Sequence, residues 1–421
     1  MQSPSREEKD AASLADAEEV LGLILDPDRR GSLYPYYHRL RELAPVHATR
    51  LFPNERAWVV SSYDHVNRLL RDREMLSDVR SAELLTAGPA GAGFDQVMSR
   101  LLLFIDGDEH DRIRNLVSRV FTPRGVEARH AKIRSVVDGL IDAAKGKGRA
   151  MDLVKDFAYP IPLVVICEML GVPHEDLPIF HQWAYDFARR GDISDLTPER
   201  IEKGEVATEG FTRYFSDLIE ARRAEPREDL ITALISVKDD LGPLSHQDLI
   251  STCIILLQAG HETTADLIGT GTKALLENPD QMALLLEDPA RIPTAVEELL
   301  RLDTPVQIMQ RVSTRDEELG GVKVPAGEIF VILPGAANHD PSVFADPDRV
   351  DVTRDPNPHV SFGLGRHRCL GATLARTEIR IALSALLRRL PELELVPGEA
   401  PEYRRSLFLR GLARLPVQWA N

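Results

Sequence analysis

Three short stretches of this 421-residue chain bring together residue types that can do chemistry. The first is Phe362-Gly363-Leu364-Gly365-Arg366-His367-Arg368-Cys369-Leu370-Gly371. Two glycines tighten this loop. Cys369 stands where an amphipathic helix is expected to begin, with Leu374, Ile379, Ala382, Leu383 and Leu386 as its apolar positions. The positive end of a helix dipole favours thiolate over thiol, and backbone donors aimed at a sulfur tune the metal that it holds. No second Cys or His stands at metal spacing, which disfavours structural zinc and suits a metal whose other ligands come with a cofactor. Gly371 leaves room for a flat group close to the backbone. Cys167 and Cys253 lie in apolar runs and read as small buried hydrophobes.

The second stretch is Ala259-Gly260-His261-Glu262-Thr263-Thr264. It falls in the middle of a helix of roughly 30 residues, which Ser245 and Asp248 cap and Pro279 stops after Asn278. Glycine inside a helix costs about 1 kcal/mol relative to alanine, so Gly260 suggests a close approach to the backbone. Thr263 can turn its hydroxyl onto the carbonyl of Ala259 and open a local groove, where Glu262 and Thr263 form an acid–alcohol pair for moving protons. Taken alone, such a pair is most often a solvated acid beside a packing alcohol. The third stretch, Glu297-Glu298-Leu299-Leu300-Arg301, lies on a helix opened by Pro293. Glu298 and Arg301 share a face there, a spacing that by itself usually marks surface decoration.

The elements that must position these groups are mostly helical. Apolar residues recur at three- and four-residue intervals over Tyr34–Leu43, Tyr63–Arg71, Arg112–Val120, Ala131–Ala144, Pro162–Leu170, Thr208–Ala224 and Asp229–Val237. Strands are few: Ala57–Ser61, Gly321–Val324 and Ile329–Leu333. Ala82–Phe94 and Phe187–Gly204 read as long loops, and residues 1–20 as a disordered lead-in to one domain over 21–421. A net charge of −15 argues against nucleic-acid binding through bulk charge. Three cysteines argue against a disulfide scaffold and fit a reducing cytoplasm. Met1–Leu14 lacks the apolar core of a signal peptide. The most apolar runs fall far short of the roughly 18 residues that span a bilayer, so no membrane association is expected.

In their order along the chain (259–264, 297–301, 362–371), the three stretches resemble the cytochrome P450 family, and the resemblance runs from about Asp26 to the end. It implies a mainly α fold with small β-sheets, an α-rich lobe and a smaller β-containing lobe. It implies haem b (iron protoporphyrin IX) with Cys369 as the axial thiolate, the ligation that favours O–O cleavage. Phe362, Gly363, His367 and Gly371 would then surround the sulfur, and Ala259 would face the cofactor. His110, Arg114, Arg311 and His359 would meet its propionates. Glu298 and Arg301, with Arg354, become a buried brace for the cysteine loop. Thr263 and Glu262 become the catalytic proton-delivery pair.

The resemblance further implies a monooxygenase that hydroxylates or epoxidises a medium-to-large, mostly apolar natural product of bacterial secondary metabolism with O2. Its pocket would be lined by Leu85, Phe94, Val97, Val306, Ile308, Met309, Leu407 and Phe408. Only 52 residues follow Cys369, so electrons are expected from a ferredoxin-type donor with a separate NAD(P)H reductase. Arg366, Arg368, Arg112 and Arg376 could make the docking face basic. Competing readings keep the fold but change the chemistry to oxidative coupling, desaturation or oxidation of a carrier-protein-bound substrate. A non-catalytic haem sensor is the outsider. Two departures from the family pattern stand out. Asp106-Gly107-Asp108-Glu109-His110 lacks the usual proline, predicting a looser loop, and His339 replaces a common arginine.

Overall fold

The computed structural model describes residue 12 and residues 14–52, 56–78, 93–192, 196–390 and 392–420. The chain gathers into two compact units, each assembled from three separate stretches. Unit 1 comprises Met1–Ser77, Gly269–Cys369 and Ala400–Leu415; unit 2 comprises Asp78–Ile268, Leu370–Glu399 and Pro416–Asn421.

Unit 1 is organised around a five-stranded sheet of β1 (Val46–Thr49), β2 (Ala57–Val60), β3 (Met75–Leu76), β4 (Met309–Ser313) and β5 (Ile329–Ile332). Its spatial order is β1-β2-β5-β4-β3. β5 runs parallel to β2 with Phe330 opposite Trp58, and the other pairings are antiparallel. β2 and β5 are buried throughout, which explains why both read as unbroken apolar runs rather than alternating ones. Helix α1 (Tyr63–Arg71) lays Val66, Leu69 and Leu70 into the same core.

Unit 2 holds α2 (Gly93–Met98), α3 (Gly107–Val120), α4 (Leu177–Gly191) and α5 (Pro198–Ala224), with a three-stranded sheet of Glu394–Leu395, Pro416–Gln418 and Ala150–Asp152. α4 and α5 pack through Phe180, Phe211 and Phe215, whose rings meet edge to face or stacked. The long helix α6 (His246–Glu277) passes from unit 2 into unit 1 after Ile268. Its start matches the expected cap: Asp248 N donates to Ser245 Oγ at 3.1 Å, and that hydroxyl donates to the Asp248 carboxylate at 2.6 Å. α7 (Ile292–Leu302) belongs to unit 1 and α8 (Ala372–Arg389) to unit 2.

Three sequence expectations need correction. The stretch Phe187–Gly204 is largely helical: α4 runs to Gly191, and α5 begins at Pro198 behind Thr197, whose side chain accepts from Arg200 N at 3.3 Å. A threonine before a proline is a helix-start signal that the scattered charges obscured. The lead-in expected over residues 1–20 gives way to a helix at Ala17–Leu25, capped by Asp16 and burying Val20. The helix after the cysteine starts at Ala372 rather than at Cys369 itself. Residues 82–92 of the other expected loop lie outside the described residues. Among the described residues, no helix is long and apolar enough to cross a membrane.

Candidate functional site

In unit 1 the cysteine loop is closed on itself. Cys369 N donates to Phe362 O at 2.8 Å, Gly363 N donates to Val360 O at 2.9 Å, and one tight turn covers Gly365–His367. Gly363 and Gly365 have φ of 62° and 66°, the left-handed region. At Gly365 a Cβ would also stand 2.5 Å from the carbonyl oxygen of Leu70, because the loop presses against the end of α1. The outcome is an exposed Cys369 sulfur, three residues before α8. Cys167 and Cys253 are buried, as expected, and burial pushes the Cys167 thiol up to about 12 and that of Cys253 higher still.

The loop hangs from α7. Ser361 Oγ donates to Leu300 O at 2.7 Å, and Asn338 bonds both Val360 N and Ser361 Oγ, each at 2.9 Å. Below it, Glu298 and Arg301 are both 0% exposed. The Glu298 carboxylate accepts from Arg301 Nε and Nη2 (2.8 and 2.9 Å), Arg354 Nε (3.0 Å), Asn357 Nδ2 (3.0 Å) and Asp351 N (3.0 Å). Arg301 also donates to the carbonyls of Asn338, Pro347 and Arg349. The pair is therefore a buried brace and not surface decoration, and Arg354 joins it.

Arg311 is buried on β4, with Nη1 donating to Gln310 O at 2.6 Å. His359 lies beside it in sequence reasoning but is met here by the Glu297 carboxylate at 3.1 Å. Of the expected pocket residues in this unit, Val306 and Phe408 are partly exposed, and Val306 bridges Leu409. Ile308 and Leu407 are buried near Tyr37 and Leu333, and Met309 packs on the sheet core, 4.0 Å from where a Cβ of Gly363 would be. Those three serve unit 1 packing. His339, at the arginine position, is fully buried between Asp348 (2.7 Å) and Leu302 O (2.9 Å).

In unit 2 the middle of α6 is the unusual feature. On a helix that is otherwise largely buried, Ala259 is exposed and Ile255, Leu256, Gly260 and Thr263 are half-exposed. A Cβ at Gly260 would find nothing nearer than Ile166 Cγ1 at 3.9 Å. Thr263 Oγ1 donates to Ala259 O at 2.8 Å, the bond expected from the sequence. Glu262 is buried rather than solvated, with Arg189 Nη2 of α4 at 3.8 Å. Nearby, burial pushes the His181 imidazole down against the opposing pull of the Glu262 charge. His110 is fully buried on α3 beside Asp111 (3.1 Å), and Arg114 follows one turn on, half-buried. The loop before α3 is pinned rather than loose: Asp78 N donates to Asp106 Oδ2 at 2.7 Å. Arg112 is engaged by the Asp239 carboxylate (3.0 Å) and by the carbonyls of Gly242 and Pro243, so its charge is largely spent inside the unit rather than on a docking face. Phe94 and Val97 are buried on α2, and Leu85 lies outside the described residues.

Sequence reasoning missed Arg189, Asn338, Ser361 and Asn357. Arg189 and Glu262 are separated by 73 positions, and no local pattern links them. The residues present fit an iron porphyrin. In unit 1 one sulfur is exposed on a glycine-shaped loop and the buried Arg311 guanidinium suits a carboxylate; in unit 2 one apolar strip of α6 lies open where a glycine leaves space.

Comparison with known proteins bears on this site. The profile of the family described as Cytochrome P450 matches residues 19–418. The chain is 40% identical over 393 residues to the 6-deoxyerythronolide B hydroxylase of Saccharopolyspora erythraea, covering 91% of this chain and 95% of that protein. It is 37% identical over 384 residues to a biotin biosynthesis cytochrome P450 of Bacillus subtilis, covering 91% and 95%. Among solved structures it is similar to P450BioI in complex with an acyl carrier protein ligated to hexadec-9Z-enoic acid. That likeness has a TM-score of 0.87 at 36% identity and covers 93% of this chain and 99% of that one.

Proposed function

The chain belongs to the cytochrome P450 family, and on that premise we propose how its residues divide the work of a monooxygenase. It is a P450 monooxygenase whose cofactor is haem b, and it requires O2 and electrons from a redox partner. When bound, haem supplies the reductive activation of dioxygen and the insertion of one oxygen atom into substrate.

In this reading Cys369 is the iron ligand, and the Cys369 N–Phe362 O bond with the two left-handed glycines holds its sulfur outward. Arg311, His110, Arg114 and His359 would hold the propionates. Ala259 and Gly260 leave an apolar strip that would receive the flat cofactor. The Thr263 hydroxyl donates to Ala259 O, so its lone pairs turn outward and can hold a water. Glu262 carries a proton towards it, and Arg189 positions the Glu262 carboxylate.

The relatives' names include a 6-deoxyerythronolide B hydroxylase, a mycinamicin IV hydroxylase/epoxidase and a nocardicin C N-oxygenase. By that likeness the substrate is a medium-to-large natural product that is hydroxylated or epoxidised. A carrier-protein-bound substrate is the second reading, favoured by the likeness to P450BioI with its acyl carrier protein. We assign electron supply to a ferredoxin-type donor with a separate NAD(P)H reductase. A cytoplasmic setting is supported by three cysteines that form no disulfide.

The exposed Cys369 thiol on its closed loop carries this reading. Its test is the reduced carbon-monoxide spectrum, which should show the thiolate-type Soret band in the wild type and lose it in Cys369→Ser. Thr263→Ala should keep that band while NAD(P)H is consumed with less product. Equal coupling in Thr263→Ala would remove the role given to this hydroxyl.

A further inference from the structure

A cavity of about 1130 Å³ opens in unit 2, walled by α2, α5 between Glu202 and Ser216, and the first turns of α6. Along α5, Glu202, Val206 and Glu209 are spaced to share one face, and all three line the cavity. Val206 is 60% exposed, so an apolar group of this size is left facing open space. The carboxylates on either side of it are exposed and form no ion pair or hydrogen bond among the described residues. They are seven residues apart, about 10 Å along the helix, so their fields reinforce within one screening length.

The other charges on the wall are largely committed. Glu205 accepts from Phe94 N at 3.2 Å and faces Arg190 at 3.7 Å. Arg100 faces Asp248 at 3.4 Å, and His246 bonds Ser216 at 2.9 Å. Two uncommitted carboxylates therefore outweigh one uncommitted cation, Arg213, a turn beyond Glu209.

The α6 wall carries a second, independent observation. Ser251 lines the cavity and is only 3% exposed, yet its hydroxyl has no partner among the described residues. The hydroxyl is not sealed off but opens on the cavity, where it can meet a ligand atom. Ile250 on this wall and Val97 on the facing α2 wall add apolar lining.

We propose that this groove recognises an organic cation, so that the substrate is an amine- or ammonium-bearing molecule with an apolar body. The proposal rests on the oxygenase reading and narrows its substrate class. The ammonium sits between Glu202 and Glu209, the apolar body covers Val206, and a hydrogen-bonding atom reaches Ser251.

The test uses the haem-loaded enzyme and three probes with one chain length: octyltrimethylammonium, octanoate and 1-octanol. A quaternary ammonium cannot coordinate iron, so its calorimetric binding carries no contribution from iron ligation, and the groove variants assign it to this site. The cation should bind more tightly than either other probe. Glu202→Gln and Glu209→Gln should each weaken it about two- to fivefold, the range of partly exposed ion pairs, and leave 1-octanol unchanged. Glu199→Gln, on the same helix but paired with Lys203, should change nothing. Equal or tighter binding of octanoate or 1-octanol, or a cation affinity insensitive to the two groove variants, would overturn the proposal. A wild type without the thiolate-type Soret band would instead refute the oxygenase reading, so the two failures are distinguishable.

Discussion

Glu298→Gln is the sharpest probe of the brace beneath the cysteine loop. The substitution keeps the side chain's volume and removes one negative charge from a fully buried site. Oε1 accepts from Arg301 Nη2 and Asp351 N, while Oε2 accepts from Arg301 Nε, Arg354 Nε and Asn357 Nδ2. Whichever oxygen becomes an amide nitrogen, at least two donors lose their acceptor, each worth about 1–3 kcal/mol. Arg301 is simultaneously left buried without a counter-charge, and breaking a buried pair costs about 3–5 kcal/mol. The two accounts describe the same loss, so the expected total is about 4 kcal/mol, roughly a thousandfold in the folding equilibrium. That is a large part of a typical domain's stability. Urea unfolding followed by circular dichroism would measure it, with haem content of the purified variant as a second readout. Glu297→Gln next door, where the carboxylate is a quarter exposed and accepts from His359, should cost under about 1 kcal/mol. If Glu298→Gln unfolds within about 1 kcal/mol of wild type and keeps full haem, the brace does not do what its geometry implies.

Four further outcomes are expected. Burial holds the Glu378 carboxyl well above its ordinary value, so the folded chain keeps a proton that the unfolded chain releases above about pH 4.3. That stability is therefore present at low pH and lost as pH rises. Glu378→Gln should come nearest to wild type below about pH 4.3 and be the more stable at about pH 8, and curves that stay parallel would contradict this. In Gly204→Ala the new Cβ would stand 2.2 Å from Arg190 Cβ. Neither atom can swing away, so a loss of about 1–3 kcal/mol is expected in thermal unfolding. Gly22→Ala, with nothing within 4 Å of the new Cβ on its own helix, should be neutral or stabilising by up to about 1 kcal/mol. In haem-free protein, iodoacetamide should modify Cys369 well before Cys167 and Cys253; three cysteines alkylated at one rate, read by mass spectrometry, would oppose that order.

Reading the chain by pattern worked best where a local rule is strong. The cap at Ser245, the stop at Pro279 and the Thr263–Ala259 bond each depend on residues within four positions of one another, and all three are present. It failed where charged side chains masked a helix that burial stabilises. The start of α5 was hidden by Glu199, Arg200, Glu202 and Lys203, although Thr197 and Pro198 signalled it. Ile308 and Leu407 lie outside regular strands between neighbours that are themselves buried or half-buried, so no alternation in the sequence shows which way their side chains turn.

The order of the three chemical stretches, the glycines that shape the cysteine loop and the helical character of most elements follow from residue type and spacing, because backbone sterics and capping act over a few positions. Long-range pairing does not. Arg189 finds Glu262, Arg112 is spent on Asp239, Glu205 turns to Arg190, and five donors meet on Glu298 only once packing has brought distant segments together. Which charges are neutralised, and which remain to meet a ligand, is set by burial and by contacts between residues far apart in the chain. Those depend on the folded arrangement as a whole.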